Sequence, residues 1–383
     1  MAKNIVICCD GTGNEIAQNL SNVLKLFRVA KKDPEQRVYY GAGIGTIGTS
    51  DAWSRFRQNL KSTFSLATGY GLDADILGAY TFVCANFAPG DEIFFFGFSR
   101  GAYTVRAVAG MIHLVGLLAP DQLNIANYAL RSYKQASDDG DLSAAWHFSK
   151  VAGCTSAPIK FVGVWDTVAS VIVPRSDRLL PQLLTLPYTR RNPSVQIFRH
   201  AIALDERRRM FRLNRWNEVQ YFVRDPFARN RTDIQQDVKQ VWFAGVHGDI
   251  GGGYPETESG LAKLPLDWMI SEAKTHGLRL DEKLRGRIVR GRHHFGVASP
   301  FVAPDPLARL HNSMTWGWKP LEWIPKSAKW REWRRREVGG LYLPQSEPRS
   351  VPIGALLHQS VIDRMKGMDY RPENIPPTYR IEP

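Results

Sequence analysis

Ser99 sits between two glycines in Gly97-Phe98-Ser99-Arg100-Gly101, where the apolar run Ile93–Phe96 gives way to the small-residue stretch "AYTVRAVAGMI". A strand that turns straight into a helix needs glycines beside the turn residue, because side chains there would collide. Such a turn exposes the serine hydroxyl. The helix that follows aims free backbone N–H groups, that of Arg100 first, at any oxyanion forming on an attacked carbonyl. The chemistry this predicts is nucleophilic attack by Ser99.

A hydroxyl attacks well only when a base takes its proton, and an acid must orient that base. Of the nine histidines, His247 in "QVWFAGVHGDIGGGY" lies just past an apolar run and before a glycine-rich turn. A parallel sheet presents side chains there on the same edge as the serine turn. His311 and His358 compete for the role, since late loops can reach that edge. Asp166 closes the run "IKFVGVWD", and the order Ser99, Asp166, His247 is that of α/β-hydrolases. Asp249, two residues past His247, is the rival acid. Asp10-Gly11-Thr12 follows the first apolar run. The N–H groups of Gly11 and Thr12 would join that of Arg100 in an oxyanion hole, with Asp10 or Asn14 bracing the loop.

Two further stretches suggest other chemistry and fall short of it. "GIGTIG" fits a dinucleotide-binding glycine pattern, yet no acid closes a second strand about twenty residues on, so no nucleotide cofactor is expected. "VICCDGT" places Cys8 where a phosphoryl-accepting aspartate would stand. The leading expectation therefore needs neither cofactor nor metal. A metal-dependent hydrolase remains open as an alternative, because Asp10, Asp166, His247 and Asp249 are hard-metal ligand types at one sheet edge. A third reading is a non-catalytic protein that uses its basic surface.

The elements that must position these groups are legible as "NIVICCD", "RVYYGAG", "EIFFFGF", "IKFVGVWD" and "QVWFAGV". Runs apolar on both faces need cover on both faces, which predicts an α/β class with a mainly parallel sheet flanked by helices. The connection 167–239 holds "RHAIALDERRRMFRLNRW", a basic helix-like stretch, and reads as an insertion over the sheet. An amphipathic helix is expected from Leu264 to His276. Residues 290–383, rich in Pro, Trp and Arg, form a C-terminal cap or lobe on a single domain 1–383. Within it a short helix from Ser327 to Glu337 would set Trp330 and Trp333 on one side.

Bulk composition bounds the partners. The 383 residues are 44% hydrophobic and 23% charged, with a net charge of +13 and a pI near 9.6. This is ordinary globular composition with a bias toward anionic surroundings. No nucleic-acid-binding module is recognisable, so an ester or lipid substrate and an anionic membrane surface are the expected partners. Cys8, Cys9, Cys84 and Cys154 lack metal or redox spacing and read as reduced and mostly buried. The opening apolar run is too short for a signal peptide or membrane span. A cytoplasmic protein as encoded is expected, with export by a non-classical route left open.

Taken together, "CDGTGN", "GFSRGAYTVRAVAGMI", "GVWDTV", "RHAIALDERRRMF", "FAGVHGDIGGGY", "HQSVIDRM" and "YRPENIP" resemble the uncharacterised α/β-hydrolase domain family that includes type VI secretion phospholipase effectors. The resemblance implies an α/β-hydrolase fold and cofactor-free serine esterase, lipase or phospholipase chemistry. It sets Ser99, Asp166 and His247 at the matching triad positions. The chain departs from the secreted effectors by lacking a large extra module.

Overall fold

Each of the five apolar runs forms a strand, because Val, Ile and Phe fill both faces of a pleated layer that helices cover on either side. A computed structural model describes residues 2–11, 19–43, 71–138, 141–168, 172–173, 182–183, 186–223, 234–292, 299–328, 332–333 and 337–383. Its main sheet contains β1 (Asn4–Cys9), β2 (Gln36–Gly41), β3 (Glu92–Phe98), β4 (Ile159–Trp165), β5 (Val195–Ala203), β6 (Asp237–Phe243), β7 (Ala355–His358) and β8 (Tyr379–Glu382). The spatial order is β2-β1-β3-β4-β5-β6-β7-β8, and every neighbouring pair is parallel. This is an α/β-hydrolase-like architecture. The order reverses between β1 and β3, and ligands of open parallel sheets bind at the carboxyl ends of the strands flanking such a reversal.

The period-two alternation of β1 shows how the two layers form. Ile5 and Ile7 enter one core with Ile76, Tyr80 and Val83 of α2 (Leu72–Asn86) and Val105, Val108 and Met111 of α3 (Arg100–Val115). Val6 and Cys8 enter the other with Val23 and Leu26 of α1 (Asn22–Val29). That second layer also holds Leu266, Met269 and Ile270 of the helix Gly260–Thr275, close to the span expected from Leu264 to His276. The cysteines are unpaired; Cys8, Cys9 and Cys84 are buried and Cys154 is partly so.

Two sequence expectations need correction. The connection 167–239 is not simply an insertion over the sheet: it contributes β5, a central strand, whose second half, from Arg199, opens the stretch that reads as a basic helix. Its charges misled the reading because they are buried and paired. Arg199 bonds the carboxylates of Asp237 and Glu272, and His200 Nε2 accepts from Thr167 N–H. A charged residue inside a strand covered on both faces looks, in sequence, like the polar face of a helix. The expected helix from Ser327 to Glu337 falls largely outside the described residues, and its two ends, Ser327 and Glu337, lie in strands. Lys326–Ser327, Leu341–Tyr342 and Glu337–Val338 form a small antiparallel sheet, while Trp330 and Arg334 to Arg336 lie outside the described residues. The C-terminal residues 290–383 also supply β7 and β8 to the main sheet.

Candidate active site

The serine turn forms because three backbone segments approach too closely for side chains. A Cβ on Gly97 would stand 2.5 Å from the Gly101 carbonyl oxygen, and one on Gly101 would stand 2.1 Å from that of Cys9. With both glycines in place, Ser99 takes φ 55° and ψ −119° and becomes the N-cap residue of α3. Its N–H donates to Trp165 O at 3.1 Å. A left-handed backbone at a non-glycine residue costs on the order of 1–3 kcal/mol and collects at functional positions. Asp166, at φ 38°, is a second example.

Strand register brings the acid to the serine. Phe98 of β3 pairs with Trp165 of β4, so the residues that follow, Ser99 and Asp166, leave neighbouring strand ends together. His247 comes from two strands further along, just beyond β6, where it opens the short helix α4 (His247–Gly251). Its ring packs between Phe98 and Phe211, with centroid distances of 4.6 and 4.8 Å. His247 Nδ1 lies 2.5 Å from Asp166 Oδ2. That contact makes Nδ1 the donor and leaves Nε2 to act as a base. No direct Ser99–His247 hydrogen bond is present among the described residues, the loose relation common in unliganded serine enzymes. All three residues are buried, Asp166 completely.

The Asp166 carboxylate is ionised. Burial pushes its pKa up, but the Arg349 guanidinium and the His247 hydrogen bond outweigh burial and hold it well below the usual carboxylate range. Glu206 holds the His247 backbone, its Oε2 accepting from His247 N–H at 3.1 Å. Burial would raise Glu206 too, yet its pairing with Arg208 brings it down to about 2.

Gly11 stands beside Ser99, since a Cβ there would lie 3.3 Å from Ser99 Cβ. Its N–H donates to Asp10 Oδ1 at 2.7 Å. Next to Ser99 in sequence is Arg100 N–H, in the first turn of α3, whose opening N–H groups lack helical acceptors. The Arg100 side chain points elsewhere, to Asp75 at 3.1 Å. Asp10 braces its loop as expected, with Oδ2 accepting from Ser21 Oγ and from Tyr40 at 2.9 Å. Thr12 and Asn14 lie outside the described residues, as does most of "GIGTIG".

Residues 3–272 match the family model described as "T6SS, Phospholipase effector Tle1-like, catalytic domain". The chain belongs to this family. It is also 34% identical over 225 residues to the Uncharacterized protein YEL023C of Saccharomyces cerevisiae (strain ATCC 204508 / S288c), covering 55% of this chain and 32% of the yeast protein. The chain thus spans about a third of that relative's length. One similar solved structure is described as "Crystal structure of an uncharacterized protein from Pseudomonas aeruginosa", with 19% identity, 74% of this chain and 47% of that chain covered, and a TM-score of 0.39. Another is "Structure of the Tle1 effector bound to the VgrG spike from the Type 6 secretion system", with 20% identity, coverage of 68% and 53%, and a TM-score of 0.34.

Ser99, Asp166 and His247 all fall inside the span matched by the Tle1-like model; His311, Arg349 and His358 fall outside it. The rival groups are engaged with one another or with the scaffold. His311 Nδ1 lies 2.6 Å from Asp249 Oδ1 and its Nε2 lies 2.8 Å from Glu258. Asp249 Oδ2 also accepts from Val246 N–H at 3.0 Å, so Asp249 shapes the turn that carries His247. His358 caps the helix Gln359–Gly367 by accepting from Ser360 N–H, and burial lowers its pKa to about 4. Among the described residues, no three His, Cys, Asp or Glu side chains converge in a metal-holding group. Sequence reasoning missed Glu206, Phe211 and Arg349. The only sequence signal for Glu206 was the acid pair Asp205-Glu206 before the arginines of "LDERRRM", and Arg349 had none.

Proposed function

We propose that this chain is a serine hydrolase of carboxylic esters, phospholipase in class, working through Ser99, His247 and Asp166. The observation that carries the reading is the His247–Asp166 hydrogen bond at 2.5 Å beside a left-handed serine at the end of the neighbouring strand. Membership of the Tle1-like phospholipase effector family supports a lipid ester as substrate. In the proposed mechanism Ser99 Oγ attacks the ester carbonyl while His247 Nε2 takes its proton, and the oxyanion faces the N-terminus of α3. His247 then protonates the leaving alcohol. Water, activated by the same base, attacks the acyl-serine and frees the fatty acid and the enzyme.

The setting proposed for this reaction is an anionic membrane surface. Trp316 and Trp323 are 86% and 61% exposed. Val338 and Leu341, also exposed, pair across the small sheet. Trp318 links this region to the site, its ring lying edge-on to Phe211 at 5.4 Å. Exposed tryptophans on a protein of charge +13 suit the headgroup zone of an anionic bilayer. No helix of the described residues is long and apolar enough to cross a membrane. Export as an effector fits the family and is part of the proposal.

A panel of p-nitrophenyl esters and phospholipids with wild type and Ser99→Ala tests the chemistry. Turnover should fall by roughly three or more orders of magnitude with the fold intact. A fluorophosphonate should label Ser99, and a chelator should leave the rate unchanged. Near-normal turnover by Ser99→Ala would remove the serine mechanism, and loss of activity to the chelator would favour a metal-dependent one.

A further inference from the structure

The triad acid is held by a residue from outside the matched span. Arg349 Nη1 donates to Asp166 Oδ1 at 2.5 Å and Arg349 Nη2 to Asp166 Oδ2 at 3.1 Å. The two nitrogens also donate to the carbonyls of Ala203 and Phe211, at 3.1 and 2.8 Å. Ala203 N–H reaches Asp166 Oδ1 at 3.0 Å. With His247 on Oδ2, the carboxylate accepts four hydrogen bonds, the full complement of its lone pairs. Arg349 is anchored in turn, because Asn374 Nδ2 donates to both Arg349 O and Leu204 O.

We propose that Arg349 is a positioning residue of the active site: its guanidinium fork grips both oxygens of the buried Asp166 carboxylate and turns it so that Oδ2 meets His247, and the segment beyond residue 272 thereby completes the triad. The proposal rests on the Ser99–His247–Asp166 reading and deepens it.

Two consequences follow from elementary electrostatics. Asp166 is wholly buried and Arg349 is 5% exposed, so the carboxylate without its cation would meet burial with only the imidazole and one N–H to oppose it. The fork also rotates the carboxylate plane, which a single point charge cannot do. The second consequence concerns the base. When His247 takes the serine proton, the new imidazolium shares one carboxylate with a permanent cation, so it is less stabilised than in an isolated His–Asp pair.

Other charged groups face these three. Glu206 lies on the His247 side, paired with Arg208. Glu332, paired with Arg209, acts on Arg349. His200, beside Asp166 and Arg106, has its pKa lowered to about 3, chiefly by burial, and stays neutral across the working range. None of these changes protonation where a His–Asp pair governs the rate, so a shift on changing Arg349 reports Arg349.

The test compares full-length wild type, Ser99→Ala, Arg349→Gln and Arg349→Lys, with kcat and kcat/KM measured from pH 5 to 9 on a soluble ester and the fold checked by near-ultraviolet circular dichroism. Arg349→Gln should lose roughly 10- to 100-fold in kcat, the size expected when the partner behind a functional ligand is removed. The rising limb of its kcat/KM profile should move alkaline by on the order of one pH unit, because a cation beside the imidazolium is gone. Arg349→Lys keeps the charge and loses the fork, so kcat should fall while the limb stays. A folded Arg349→Gln enzyme with wild-type kcat and limb overturns the proposal. If that variant does not fold, Arg349→Lys decides alone: wild-type kcat, or a limb displaced as above, overturns it. An active Ser99→Ala enzyme would instead defeat the serine reading, whatever the Arg349 variants do.

Discussion

Asp166→Asn is the most informative single change, because Asp166 serves the His247 imidazole and a buried guanidinium at once. The carboxylate lies between His247 Nδ1 and the Arg349 fork, with side-chain exposures of 0% for Asp166 and 5% for Arg349. An asparagine keeps the shape but has one oxygen where there were two. If that oxygen stays toward Arg349, the new amide donor faces His247 Nδ1, which must then accept. The proton moves to Nε2, the wrong tautomer for taking the serine proton, and kcat should fall by on the order of 10⁴. The buried arginine is also left without its counter-ion, and breaking a buried pair this way costs about 3–5 kcal/mol. With unfolding entropy near 2.1 cal/mol/K per residue over 383 residues, that corresponds to roughly 4–6 °C in Tm. The assay is ester turnover alongside calorimetry, for Asp166→Asn and for the double variant Asp166→Asn/Arg349→Met. The double variant should regain part of the lost Tm, because the unpaired charge is gone, and none of the lost turnover. An Asp166→Asn protein as stable as wild type would refute the ion-pair half of the reasoning, and one that turns over within tenfold of wild type would refute the tautomer half.

Acid should weaken the fold before it unfolds it, because His200 is buried neutral. Its pKa lies at about 3, lowered from 6.5 first by burial and then by Arg106. Below pH 6.5 the unfolded chain binds a proton that the folded chain refuses until about pH 3, so the stability present above pH 6.5 declines through that window, by about 2 kcal/mol at pH 5. Burial sends His113 and His358 the same way, each to about 4. Glu206 adds a later loss, its stabilisation present above pH 4.5 and lost as pH falls toward 2. Urea midpoints at pH 7.5, 6 and 5 check this, and an unchanged midpoint from pH 7.5 to 5 would contradict it. At the membrane, co-sedimentation with vesicles should rise with anionic lipid and weaken with salt. Replacing Trp316 and Trp323 by Ala should reduce it several-fold without changing turnover of a soluble ester; equal binding by that variant would assign the tryptophans to no lipid contact.

What the sequence by itself determined is what short-range physics controls. The strand, serine turn and helix are contiguous, and the two glycines declare a backbone too crowded for side chains, so Ser99 is legible from one stretch. Asp166 and His247 each end an apolar run, and a parallel sheet sends such ends to one edge. The choice between partners is different. Whether Asp166 or Asp249 meets His247 depends on strand order and on the turn after β6, and spacing carries neither; only in the fold does Asp249 turn to His311. The central strand β5 was hidden because Arg199 and His200 are buried against partners that only the assembled sheet supplies. Arg349 lies 183 residues from Asp166, in a loop with no pattern of its own. A buried charge has a meaning set by the counter-charge folded against it, and that pairing exists only in the tertiary structure.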